Sequence, residues 1–167
     1  MSELSELLAR MQFSVSVAGG AVTGHLHDHD QVVLTFRPGY YDRVDESVLE
    51  HHLVSLARMM RAEYVRRYYA ALSTAFGRTV TKDPPPIGRR EKEYAALRQE
   101  FVAEGRSADG RITIEVRGME SWRIRITPGT LGVLTEADFA EQFRTAATLL
   151  IRDQFAGIRT LKDHIYG

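Results

Sequence analysis

Four groups of side chains in this sequence have types and spacings that could do chemistry. The first is His25-Leu26-His27-Asp28-His29-Asp30. On one continuous strand the three imidazoles would share a face at steps of about 6.6–7 Å. Neutral imidazoles at that spacing suit zinc or nickel. A hairpin turn expected at residues 28–30 breaks the strand and leaves only His25 and His27 on a common face. The expectation is therefore a solvated hairpin end, with His25 and His27 the pair that a metal would use and no cofactor required. The second group, His51-His52, falls in the second turn of a helix, where adjacent residues diverge and cannot chelate together.

The third group is basic. Arg58, Arg61, Arg66 and Arg67 lie along one long helical stretch, and Arg78, Lys82, Arg89, Arg90 and Lys92 bracket the segment that follows it. Guanidinium groups match phosphate geometry, and such contacts position a protein on DNA without reading its sequence. Tyr64, Tyr68, Tyr69 and Phe76 stand near the same end, where they could stack on bases or on a protein partner, although Tyr64 and Tyr68 also fit the helix's buried stripe. The fourth group is Arg111, Arg117, Arg123 and Arg125 on the outward positions of two strands, balanced by acids such as Glu115 and Glu120.

Catalytic patterns do not emerge. Ala18-Gly19-Gly20-Ala21 joins two strands and does not open a helix, so it is not a phosphate loop. No nucleophile with a positioned base is recognisable. Asp and Glu are spread over helix surfaces, where they most often serve solubility. The chain reads as a binding protein and not an enzyme.

The totals fit that reading. With 167 residues, 44% hydrophobic and 26% charged, the chain is long enough to bury a core. It has no cysteine, which excludes disulfides and thiolate metal sites. No apolar run approaches the ~20 residues of a membrane helix, and the acidic start has no signal-peptide character. A cytoplasmic location is expected. Formal net charge is zero, which counts against strong non-specific nucleic-acid binding. Arginine outnumbers lysine 19 to 3, a bias first attributable to GC-rich coding.

These groups sit on elements that occur twice. Shifted by 90 residues, Pro38-Gly39 falls on Pro128-Gly129, Gly20 on Gly110, Thr23 on Thr113, Glu46 on Glu136 and Ala57 on Ala147. The apolar pattern repeats too: Val32, Leu34 and Phe36 meet Trp122, Ile124 and Ile126, while Leu49, Leu53 and Met60 meet Phe139, Phe143 and Leu150. Strict alternation predicts strands at 13–17, 21–27, 31–37, 111–117 and 122–127. Asp45 and Thr135 are hydroxyl or carboxylate caps before long amphipathic helices reaching about Phe76 and His164. Residues 1–11 and 89–104 read as short helices, and residues 81–88, with Pro84-Pro85-Pro86, as a linker. A helix of nearly 30 residues outruns the small sheet beneath it and needs a second helix or a partner chain as cover.

The run Ala108-Asp109-Gly110-Arg111-Ile112-Thr113-Ile114-Glu115-Val116-Arg117-Gly118, then Arg123-Ile124-Arg125-Ile126-Thr127-Pro128, Leu134-Thr135-Glu136 and Ala146-Ala147, resembles the YbaB/EbfC family of small nucleoid-associated proteins. Thr127 stands where that family has an acid. The resemblance covers residues 89–165 directly and 1–76 through the internal repeat. It implies an α+β fold of two tandem units, 1–80 and 89–167. Each unit would be a helix, a hairpin or three-strand antiparallel sheet and a long helix, together forming a pseudo-dimer with helices projecting like tweezers. It further implies a DNA-associating, nucleoid-located protein, with the nine basic residues of the third group as contacts and a homodimer as an option. Some actinobacterial relatives resemble secretion-system accessory proteins, so a protein-interaction scaffold that kept the fold without DNA binding is the alternative.

Overall fold

The computed structural model describes residues 2–167. Its elements are α1 (Glu3–Ala9), β1 (Phe13–Val17), β2 (Val22–His27), β3 (Gln31–Phe36), the one-turn helix α2 (Tyr40–Arg43) and α3 (Glu46–Phe76), followed by α4 (Arg89–Glu100), β4 (Val102–Arg106), β5 (Ile112–Arg117), β6 (Ser121–Ile126), α5 (Thr130–Val133) and α6 (Glu136–Tyr166). Adding 90 to the bounds of β2, β3, α2 and α3 gives those of β5, β6, α5 and α6. The fold is α+β, with two three-stranded antiparallel sheets ordered β1-β2-β3 and β4-β5-β6.

Local chemistry explains the shared boundaries. Pro38-Gly39 and Pro128-Gly129 each turn the chain out of a sheet, with the next amide donating three residues back, at 3.0 Å from Tyr40 to Arg37 and 3.1 Å from Thr130 to Thr127. Proline presets the first corner residue, and glycine supplies the positive φ (85° and 88°) at the second. The long helices then start on side-chain caps: Asp45 accepts from the Val48 amide at 2.8 Å and Thr135 from the Asp138 amide at 3.1 Å. At 31 residues each, the helices are about 46 Å long.

The expected helix over 89–104 needs correction. Helix α4 stops at Glu100, and Val102–Arg106 is the third strand of the second sheet, with Ala103 paired to Val116 and Gly105 to Ile114. Alanine and glycine are weak strand formers, which hides β4 from a propensity reading. Packing requires them. A Cβ on Gly105 would collide with the backbone of Ala146 and Leu150 in α6. In the first sheet the close approach falls on the middle strand instead, where a Cβ on Gly24 would lie 2.7 Å from Met60 Sδ.

The inner sheet faces and the long helices share one core. Val22, Leu49, Leu53, Ile112, Val116 and Phe139 are fully buried, and each such side chain contributes about 1.5–3 kcal/mol on burial. Helix α3 packs on β1 and β2 and then crosses to β6; α6 packs on β4 and β5 and crosses to β3. The edge strands β3 and β6 are thereby covered by the other unit's helix, and the edge strands β1 and β4 by their own. The far stretches of the helices have partial cover, α1 on α3 and α4 on α6.

Candidate functional site

At the crossing of α6 over β3, the polar contacts converge on the hairpin turn. Thr148 Oγ1 donates to the Asp30 carbonyl at 2.8 Å, Arg152 Nε to Asp30 Oδ2 at 3.1 Å, and Arg144 Nη1 to Gln31 Oε1 at 2.6 Å. Asp30 is only 6% exposed. Burial alone would raise its pKa. Hydrogen bonds from Gln31 and Arg152, with the nearby charges of His29 and Arg152, outweigh burial and hold the carboxyl below its ordinary value. The solvated hairpin end expected there is thus half right: Asp28 and His29 are exposed and Asp30 is not.

The crossing of α3 over β6 is closed differently. Glu50 accepts from the Ile126 amide at 2.7 Å, and Glu46 accepts from the Gly129 and Leu131 amides at 2.9 and 3.3 Å. These carboxylates satisfy amides at a strand end and at the start of α5. They join the two units, so Glu46 and Glu50 are exceptions to the solubilising role that helix acids most often have. Tyr41 adds a further link, its hydroxyl donating to the Leu134 carbonyl at 2.8 Å. Burial, reinforced by the charges of Glu46, Glu136, Asp138 and Asp42, pushes the Tyr41 phenol up to about 12. Both closures left a trace in the sequence, Arg144, Thr148 and Arg152 being spaced i, i+4, i+8 and Glu46 and Glu50 i, i+4, so that each set lies on one helix face.

The nine basic residues of the sequence reading separate into three environments. Arg66 and Arg67 are tied to Glu63, with Arg67 Nε at 2.7 Å and its guanidinium 5.3 Å from the centre of the Phe13 ring. Those hydrogen bonds draw the Glu63 pKa down to about 2. Arg61 is partly buried and lies 5.6 Å above the Tyr64 ring. Arg58, Arg78, Lys82, Arg89, Arg90 and Lys92 are exposed and make no ion pair among the described residues. The last five of these follow the end of α3 and begin α4.

The outer sheet faces differ. On the second sheet Arg117, Arg123 and Arg125 are exposed, Arg106 pairs with Glu104 at 3.6 Å, and Arg111 with Asp109 at 3.9 Å. Arg111, Arg123 and Arg125 form one wall of an open cleft of about 840 Å³ whose other wall carries Asp45, Glu46 and Glu50. The first sheet carries hydroxyls and imidazoles in the matching places: Ser14 bonds His25 Nδ1 at 2.7 Å, Ser16 bonds Thr23 at 2.7 Å, and the His25 and His27 rings stack 5.8 Å apart.

His25 and His27 share a face as expected, while His29 falls in the turn at φ 56°. Among the described residues no three His, Asp or Glu side chains gather as a metal site. His52 bonds the Tyr40 hydroxyl at 2.6 Å and His51 is exposed. No helix among the described residues is long and apolar enough to cross a membrane. Comparison of the chain with protein-family models, with curated proteins and with solved structures returned no match.

Proposed function

We propose that the chain is a non-enzymatic, DNA-associating protein of the YbaB/EbfC kind. In this reading units 1–80 and 89–167 form a pseudo-dimer about the linker 81–88, and exposed cations contact duplex phosphates with little sequence choice. The observation that carries it is the run of Arg78, Lys82, Arg89, Arg90 and Lys92, all exposed and free of ion pairs among the described residues, within one short stretch of chain. Arg58 extends this set along α3. Arg61, Arg66 and Arg67, whose guanidiniums have partners of their own, take a lesser part. Neutral overall charge limits the affinity, and the phosphate contacts make it salt-sensitive.

The test is fluorescence anisotropy with a labelled duplex over a salt series. Five phosphate contacts give a log–log salt slope of about −4 to −5. Changing Arg78, Arg89 and Arg90 to Gln flattens it by about 3. A second reading, a protein-interaction scaffold, is favoured by exposed apolar side chains beside that stretch: Phe76 is 59% exposed and Ile87 80%, and Tyr166, whose ring lies 6.0 Å from that of Tyr94 in α4, 46%. Absence of DNA binding at about 50 mM salt decides for the scaffold.

A further inference from the structure

Between α3 and α6, above the inner ends of both hairpins, lies a half-open apolar cavity of about 130 Å³. Leu26, Leu56, Met60, Ile114, Phe143 and Leu150 supply much of its wall, and Trp122, the sole tryptophan, also borders it. A dry apolar cavity of about 150 Å³ takes up a benzene-sized molecule, so this space suits a tail of about six carbons.

Two polar side chains in the wall have no hydrogen-bonding or ionic partner among the described residues. Gln154 is 9% exposed, and its Oε1 is buried without a hydrogen-bond partner. An unmade hydrogen bond of this kind costs about 1–3 kcal/mol. Among the described residues no hydrogen bond pins the amide, whose Oε1 is buried and unpaired and whose two ends are interchangeable by a flip, so oxygen or NH₂ is available to a ligand. Arg61 also borders the cavity, partly buried, with the Tyr64 ring beneath it and no carboxylate paired to it. Its own burial, with a smaller contribution from neighbouring Arg98, disfavours the charge that Arg61 carries. In the other helix, 90 residues on, the counterparts of Arg61 and Tyr64 are Ile151 and Gln154. The cavity therefore has one cationic wall and one amide wall.

We propose that this cavity binds a small amphipathic monoanion, a carboxylic acid with a short aliphatic or aromatic tail. The tail fills the apolar space, the carboxylate pairs with Arg61, and the Gln154 amide completes the head group's hydrogen bonding. The inference shares only Arg61 with the DNA-binding reading, in which that residue takes a lesser part.

Hexanoate and hexanamide are the probes, and Trp122 fluorescence of the whole chain is the readout. Hexanoate changes the emission saturably and binds about ten times more tightly than hexanamide, the increment of one charge-assisted contact. Arg61→Gln removes that preference, Arg61→Lys restores part of it, and Gln154→Leu weakens both probes. Far-UV circular dichroism checks that each variant is folded. The hexanoate-to-hexanamide ratio on the unaltered chain decides the matter even if a variant fails to fold. No saturable change with either probe overturns the proposal, as does equal affinity for the two. So does a dimer, detected by sedimentation, whose formation shuts hexanoate out.

Discussion

The two helix–strand crossings have the same place in the fold and opposite chemistry. Where α6 covers β3, the helix presents Arg144, Thr148 and Arg152, and the turn presents Asp30 and Gln31 as acceptors. Where α3 covers β6, the helix presents Glu46 and Glu50 as acceptors, and the strand end and α5 present amides. The residues 90 positions from Arg144, Thr148 and Arg152 are Val54, Arg58 and Ala62, and Ala140 stands opposite Glu50. The apolar repeat preserves the geometry of both crossings, while the polar contacts that close them are unrelated. Burial demands that backbone groups be satisfied without specifying which side chain does it.

The largest effects should come where the two copies remain alike. Phe139 and Leu49 occupy equivalent positions, and both are fully buried. Phe139 also lies 5.7 Å from the Tyr41 ring and 6.1 Å from Phe36, both in the first unit. Phe139→Ala is expected to cost about 3–5 kcal/mol and Leu49→Ala about 2–5 kcal/mol, read from urea midpoints. A loss below 1 kcal/mol at either would break the equivalence.

The crossings themselves rank next. Asp30→Asn keeps the shape and removes the charge that Arg152 and Gln31 hold, and should cost about 1–3 kcal/mol. Glu50→Gln retains an acceptor for the Ile126 amide and should cost less, about 0.5–1.5 kcal/mol. The pH dependence separates the two sites further. Asp30 has a lowered folded pKa. Its contribution is present above the unfolded value of about 3.9 and is lost as pH falls through the folded one. Asp30→Asn should therefore flatten the acid limb of the stability curve. Tyr41 has a folded value raised to about 12. Its contribution is present below the unfolded value of about 10 and is lost as pH rises through 12. Tyr41→Phe, at a cost of about 1–2 kcal/mol from the orphaned Leu134 carbonyl, should flatten the alkaline limb.

The smallest effect concerns the hairpin turns. Asp28 and His29 take φ of 48° and 56°, where the other turn has Gly118 at 58° and Met119 at 59°. Asp28→Gly copies the second turn into the first and should raise stability by roughly 0.5 kcal/mol, less than the full left-handed penalty because aspartate tolerates that region. An unchanged or lower midpoint would show that the Asp28–His27 contact at 2.9 Å matters more than backbone strain.

The parts of the fold legible in the sequence were those written by periodicity. Alternation placed β1, β2, β3, β5 and β6, and the caps Asp45 and Thr135 set where the long helices begin. Strand β4 stayed hidden because its Ala103 and Gly105 answer to a helix forty residues away in sequence. The buried role of Asp30 was hidden for a like reason, since its partners Thr148 and Arg152 lie more than 100 residues off. Positive charge at the end of α3 was visible as composition. That Arg66 and Arg67 both bind Glu63 is legible in their i, i+3 and i, i+4 spacing. The polar walls of the cavity had no signature, because Arg61 and Gln154 read as ordinary helix residues until two helices face each other.

All of these effects presuppose that the two copies hold a single core. The direct measurement places a lesion in one copy and a reporter in the other. Leu53 is fully buried in α3, and Trp122, the only tryptophan, lies in β6 of the second sheet. Leu53→Ala should shift the urea midpoint of Trp122 fluorescence and of far-UV circular dichroism together, by about 2–5 kcal/mol. A Trp122 transition that stays where it was while circular dichroism splits into two steps would mean that the copies fold independently.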